Sequence, residues 1–160
     1  MSRLFPGGRD QVSSGFTLIE IVVVLAILAV ATALVLPSIG RGTEALRLRS
    51  ETGRVAALLR EARLQAISQR RATRVTLDRS RNTLALIAGD AEHPVRELAM
   101  PAGLRVTVAT GTESVAFSSR GMAHETRWLV EAGSGRRLAV DVDALTGRVT
   151  VRPDDPKARS

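Results

Sequence analysis

The sequence predicts an α+β protein in which a long amino-terminal helix packs on antiparallel β-sheet. Two observations support this prediction. An almost uncharged apolar run at residues 16–36 leads into a stretch with helical periodicity, and short alternating runs separated by turn residues fill the second half of the chain. With 160 residues and 44% apolar content, the chain is the size of one domain and can bury a core.

The chain begins with a short leader and an apolar segment. Residues 1–15 are polar and contain two arginines, a proline and several glycines. Residues 16–36 carry a single charge, Glu20. As a helix, this segment would be about 31 Å long, against a bilayer hydrocarbon core of roughly 30 Å. We therefore expect residues 16–36 to form a transmembrane helix.

Residues 37–72 are predicted to continue the helix as an amphipathic segment, after a helix break at Pro37. Between Val55 and Ile67, apolar residues recur at three- and four-residue spacing, while arginines and Glu61 lie off that stripe. Such a stripe has to pack on another element. The β region that follows is the expected partner.

Residues 73–153 are predicted to form an antiparallel β domain, followed by a polar tail at residues 154–160. Turn residues at 132–135 and 143–147 indicate hairpins. The seven predicted strands lie at residues 74–78, 83–88, 104–109, 114–118, 127–131, 137–142 and 148–152.

The positive charge is concentrated beside the apolar segment. The formal net charge is +7, and the stretch from Arg41 to Arg81 holds eleven arginines against four acidic residues. Residues 82–160 hold ten basic and ten acidic residues. A local surplus of this kind is a weaker sign of nucleic-acid binding than a basic charge spread over the chain. Lipid headgroups, DNA phosphates and acidic protein surfaces are all compatible with it.

Three explanations account for the apolar segment: a plain membrane anchor, a secretory signal peptide that is removed, or a retained helix that packs against other copies. The small-x-small patterns at residues 29–31 and 31–33 are typical of a signal peptidase site and favour the second explanation. Glu20 argues against the first two explanations. An acidic residue near the centre of a membrane helix costs roughly 2.5–3.5 kcal/mol on insertion scales.

Residues 15–20 read Gly-Phe-Thr-Leu-Ile-Glu, after a basic leader and before an apolar helix with Pro37. This pattern resembles the class III signal of type IV pilins and type II secretion pseudopilins. The resemblance implies that a prepilin peptidase cleaves between Gly15 and Phe16, that Phe16 becomes the methylated amino terminus, and that the helix is retained as filament core. It also implies that Glu20 is the glutamate that becomes buried when the subunit assembles into the filament. The ammonium group of Phe16 would lie one helical turn from Glu20, where it can compensate that charge.

The orientation of the helix is predicted differently by charge and by resemblance. The arginines that follow the helix outweigh Arg3 and Arg9 before it, which would place the β domain in the cytoplasm. The resemblance implies the reverse: a single pass through the bacterial inner membrane with the carboxyl-terminal domain in the periplasm. We adopt the second orientation because the peptidase acts on a cytoplasmic leader.

The rest of the chain resembles the GspH/FimT family of minor pseudopilins and pilins. The matching features are the helical stretch 51–74 that leads directly into a strand, the segment Val-Ala-Phe-Ser-Ser-Arg-Gly at 115–121, and the hairpin 138–151. The resemblance implies a pilin-like fold and a minor, tip-proximal subunit of the type II secretion pseudopilus, which aids protein export across the outer membrane. The implied partners are the prepilin peptidase, other major and minor pseudopilins, and the inner-membrane assembly platform.

The alternative is a FimT-like minor pilin of a type IV pilus with non-specific DNA binding for DNA uptake. Arginines between Arg60 and Arg81 could contact phosphates. The carboxyl-terminal hairpin region is charge-balanced, however, and Phe117 and Trp128 are too few for a stacking platform. We therefore do not expect a nucleic-acid partner.

No motif in the chain predicts catalysis, so we expect no catalytic residue, no cofactor and no metal ion. The chain has no cysteine, and the segment that starts at His124-Glu125 has Trp128 where a zinc-binding helix needs its second histidine. Asp141 and Asp143 have the spacing that begins a calcium loop, but Leu145 occupies the third ligand position.

Overall fold

A computed structural model describes residues 17–154, except for the side chains of residues 33–41. These residues form one helix and eight strands, which confirms the predicted α+β class. The elements are α1 (Leu18–Ser68), β1 (Thr73–Asp78), β2 (Thr83–Ala88), β3 (Arg96–Ala99), β4 (Leu104–Thr110), β5 (Ser114–Phe117), β6 (Thr126–Ala132), β7 (Arg137–Val142) and β8 (Val149–Pro153).

Helix α1 is continuous from Leu18 to Ser68, so the break predicted at Pro37 is not found. A proline inside a helix removes one backbone hydrogen bond, and the bonds of the neighbouring turns can still hold the helical path. At its carboxyl end, Arg70 adopts a left-handed φ of 51° and the Arg71 N–H donates to the Ala66 carbonyl at 3.2 Å. Within residues 17–154, no helix combines the length and the apolar character required to cross a membrane.

The strands form two four-stranded sheets. Their orders are β3-β2-β1-β5 and β4-β6-β7-β8, and every pairing is antiparallel. Consecutive strands β6, β7 and β8 pair through the turns that the sequence predicts at residues 132–135 and 143–147. Strand β3 was not predicted.

The chain divides into two compact units, Met1–Gly40 and Arg41–Ser160. The hydrophobic core lies in the second unit, where the later part of α1 contributes Val55, Leu59 and Ala62 to one cluster with residues of both sheets. Trp128 and Phe117 are the largest fully buried side chains in that cluster. The predicted apolar stripe of α1 is therefore largely buried, although Ile67 at its end is 39% exposed.

Asn82 joins the two sheets of the second unit. It has a left-handed φ of 51° in the turn between β1 and β2. Its Nδ2 donates to the Leu104 carbonyl at 2.7 Å, and its Oδ1 accepts from the Val106 N–H at 3.2 Å. Because asparagine tolerates the left-handed region and carries both a donor and an acceptor, this one side chain shapes the turn and anchors it to β4.

Candidate assembly surface

Thr17 directly precedes α1 and caps its amino-terminal end. The Thr17 hydroxyl oxygen accepts from the Glu20 N–H at 3.3 Å, and its carbonyl accepts from the same N–H at 3.0 Å. Glu20 lies in the first turn with an exposed side chain, where a carboxylate interacts favourably with the helix dipole. Gly15 and Phe16 lie outside the described residues.

The first part of α1 is apolar and exposed on every side. From Leu18 to Thr32, each residue is exposed, including ten large aliphatic side chains. A helix that is hydrophobic all round is normally buried in protein or in a membrane. This surface therefore needs a partner that the described part of the chain does not supply.

The hydroxyl of Thr32 does not prevent such burial, because its donor is already satisfied. The Thr32 Oγ1 donates to the Leu28 carbonyl of its own helix at 2.6 Å. A hydroxyl satisfied in this way can enter apolar surroundings without an unpaired donor.

Five of the arginines between Arg41 and Arg81 have partners within the described part of the chain. Three of them form ion pairs with carboxylates: Arg54 with Glu51, Arg79 with Glu113 and Arg81 with Asp78. Two others, Arg60 and Arg63, donate instead to the backbone carbonyls of Val149 and Gly121.

The aspartates of the β7–β8 hairpin have structural contacts. The Asp141 carboxylate accepts from Arg127 Nε, and this hydrogen bond raises the pKa of Arg127. Asp143 Oδ1 accepts from the N–H and the hydroxyl of Thr146 at 2.8 and 2.7 Å, and these bonds lower the pKa of Asp143. Among residues 17–154, no three His, Asp or Glu side chains are grouped so that they could hold a metal ion.

A helix with an exposed apolar first part, followed by antiparallel sheets that bury its later part, is the architecture of a pilin-like subunit. The family model for type II transport protein GspH matches residues 51–147, and the model for the prokaryotic N-terminal methylation motif matches residues 11–36. The chain belongs to the GspH family.

Solved structures with a similar fold confirm the pilin-like class. The type IV minor pilin FimU of Pseudomonas aeruginosa matches in one crystal form with a TM-score of 0.60 and 22% identity over 69% of this chain and 92% of FimU. In a second crystal form the TM-score is 0.57, with 20% identity over 66% and 92%. The minor pseudopilin EpsH from the type 2 secretion system of Vibrio cholerae gives a TM-score of 0.52, with 11% identity over 69% of this chain and 96% of EpsH. A comparison with curated proteins gave no match.

The residue that sequence reasoning missed at this surface is Thr17. The signal was present, because Thr17 and Glu20 have the Thr-x-x-Glu spacing of a capping box directly before an apolar run. The hexapeptide at residues 15–20 thus contains a helix start as well as the motif for processing.

Proposed function

We propose that this chain is a minor pseudopilin: a structural subunit of the type II secretion pseudopilus that aids protein export across the outer membrane. The observation that carries the proposal is the first part of α1, which is apolar on every side and belongs to the same chain as a GspH-type domain. Such a helix suits assembly with the helices of other subunits. The role is structural and needs no catalytic residue.

Processing by a prepilin peptidase would produce the mature subunit. Residues 1–15 are the leader, cleavage falls between Gly15 and Phe16, and Phe16 becomes the methylated amino terminus. The match of residues 11–36 to the methylation motif supports this step. Before assembly, residues 16–36 cross the inner membrane once and the β domain lies in the periplasm. The apolar run extends beyond the described side chains at both ends, to Phe16 and to residues 33–36.

Glu20 would guide the position of each subunit in the assembly. Its carboxylate is exposed in the isolated chain and becomes costly once the surrounding apolar surface is covered. The ammonium group of Phe16, on the same or a neighbouring subunit, would neutralise it. Other major and minor pseudopilins and the inner-membrane assembly platform are the proposed partners, in a position near the pseudopilus tip.

Replacement of Glu20 tests this proposal. The chain has no cysteine, so a single cysteine introduced by Ile27→Cys provides one cross-linking site on the exposed apolar surface. In that background, Glu20→Ala should leave the protein in the membrane fraction but lower its cross-linking to other pseudopilins about tenfold. The reason is that the ammonium group of Phe16 would be left buried without its partner, which costs more than about 1 kcal/mol. The matched control is Glu92→Ala, which removes an exposed carboxylate from the second unit and should have no effect.

Normal cross-linking of the Glu20→Ala variant would contradict the assembly role of this glutamate. Deletion of the gene distinguishes a pseudopilin of the secretion system from a minor pilin of a type IV pilus. Loss of protein export supports a pseudopilin, whereas loss of surface pili with intact export supports the pilus alternative.

A further inference from the structure

A groove in the second unit separates the later part of α1 from the start of β8. Its volume is about 380 Å³, and it is lined by Arg60, Arg63 and Leu64 of α1 and by residues 146–149. We call it the α1–β8 groove. All of its lining residues belong to the second unit.

The α1–β8 groove is cationic. Arg60, Arg63 and Arg148 place three guanidinium groups on its walls, and none of its lining residues is acidic. Arg60 Nη2 donates to the Val149 carbonyl and Arg63 Nε to the Gly121 carbonyl, each at 3.1 Å. A neutral carbonyl orients a guanidinium without cancelling its charge. These arginines therefore retain charge and N–H donors for a ligand.

Asp143 lies in the turn of the same hairpin, and its charge interacts with that of Arg148. Its carboxylate accepts hydrogen bonds from the N–H and hydroxyl of Thr146, and Asp143 is not among the residues that line the groove, so no carboxylate lies on the groove walls. Elsewhere in the described chain, Arg54, Arg79, Arg96 and Arg127 each have a carboxylate within ion-pair distance.

The walls of the groove are fixed by close backbone packing. Gly147 has a left-handed φ of 60°, and a Cβ atom added there would clash with the Gly121 carbonyl oxygen. The hairpin tip can therefore rest directly on the Gly121 loop, which Arg63 also contacts. A site built in this way loses little conformational entropy when a ligand binds.

The groove also exposes apolar surface. Leu64 lines it and is 63% exposed, and Leu145 in the adjoining turn is 81% exposed. Guanidinium groups alone would suit phosphates as well as carboxylates. Leucine side chains have nothing to contact on a phosphate backbone, whereas they pack readily on apolar side chains of a peptide.

We propose that the α1–β8 groove binds an acidic segment of a neighbouring protein subunit in which carboxylates alternate with aliphatic side chains. Arg60, Arg63 and Arg148 would pair with the carboxylates, and Leu64 would contact an aliphatic side chain. The assignment of the partner as a neighbouring subunit rests on the proposed function. The binding chemistry of the groove does not depend on it.

A binding measurement with a synthetic peptide tests the groove. The probe is fluorescein-labelled Glu-Leu-Asp-Leu-Glu with an amidated carboxyl terminus, titrated with the full chain in non-ionic detergent and followed by anisotropy. Arg148→Glu should weaken binding about tenfold or more, because it replaces an attraction with a repulsion. Arg136→Glu is the matched control. It makes the same charge change at an exposed position in the β6–β7 turn, at the other end of β7, and should weaken binding less than about twofold.

Two further measurements define the chemistry. Leu64→Gln should weaken binding about threefold or more, and a peptide with Gln and Asn in place of its acids should not bind. Thermal unfolding followed by circular dichroism verifies that each variant is folded.

The proposal is overturned if the folded wild-type chain does not bind the acidic peptide, or if Arg148→Glu and Arg136→Glu weaken binding equally. It is also overturned if a DNA duplex binds through Arg148 while the peptide does not. Absence of peptide binding together with reduced cross-linking of Glu20→Ala would reject the groove and leave the pseudopilin proposal intact. Peptide binding together with normal cross-linking of Glu20→Ala would reject the assembly role of Glu20 and leave the groove intact.

Discussion

The two parts of helix α1 differ in how their apolar side chains are covered. Leu25 in the first part is 59% exposed, whereas Leu59 in the later part is fully buried in the core. Thr32 and Thr52 both donate to the carbonyl four residues earlier, yet Thr32 is exposed and Thr52 is buried. The backbone and its local hydrogen bonds are alike. The later part is covered by the sheets of its own chain, whereas no described residue buries the first part.

Truncation of one leucine in each part provides the strongest test of this difference. Leu59→Ala should lower the free energy of unfolding by about 2–5 kcal/mol, because it leaves a cavity in the core. Leu25→Ala should change it by less than about 0.5 kcal/mol, because the side chain is exposed in the isolated chain. Denaturant unfolding followed by Trp128 fluorescence measures both. Similar losses in the two variants would mean that the first part of α1 also has an intrachain partner.

A second pair of variants examines how closely the β7–β8 turn packs on the loop at Gly121, which Arg63 of α1 also contacts. Gly147→Ala should destabilise the protein by about 3 kcal/mol, because it adds left-handed strain and a clash with the Gly121 carbonyl oxygen. Gly135→Ala has a similar φ of 80° but no atom within 4 Å of the new Cβ, so it should cost only about 1 kcal/mol. The difference between the two midpoints in denaturant isolates the clash. Equal losses would show that the hairpin tip is free to move away.

The smallest effect concerns a turn that involves no residue of α1. The Ser80 hydroxyl and the Arg81 N–H donate to Asp78 and, with the Ser80 N–H, lower its pKa from 3.8 to about 2. Because the folded-state pKa is lower than the unfolded one, the resulting stability is complete above about pH 4 and is lost as the pH falls towards 2. Asp78→Asn should therefore lower the Tm at pH 7 and have little effect at pH 2. A difference in Tm that is the same at both pH values would contradict this.

Much of the fold was predictable because periodicity and turn chemistry are local. The seven predicted strands match seven of the eight strands of the described chain to within about two residues at each end. Strand β3 was missed because it has four residues and only Leu98 among them is buried, so no alternation is visible. It forms because β2 offers a free edge opposite Leu98. The break predicted at Pro37 was wrong because the surrounding helix continues through the proline.

The candidate sites were only partly predictable. The processing motif and Glu20 are contiguous in sequence, so they can be recognised without a structure. The α1–β8 groove joins Arg63 to Gly121 across 58 positions and Arg60 to Val149 across 89. No spacing rule connects residues so far apart. In the sequence these arginines were indistinguishable from those that form ion pairs, such as Arg54.

The mass of the protein isolated from bacterial membranes tests the central claim most directly, because retention of the apolar helix requires cleavage immediately before it. Mass spectrometry should find a chain that begins at Phe16 and carries one methyl group on its terminal nitrogen, with residues 16–36 present. A chain that begins at Met1, or one that begins after Ala33 and lacks the apolar helix, would contradict the account.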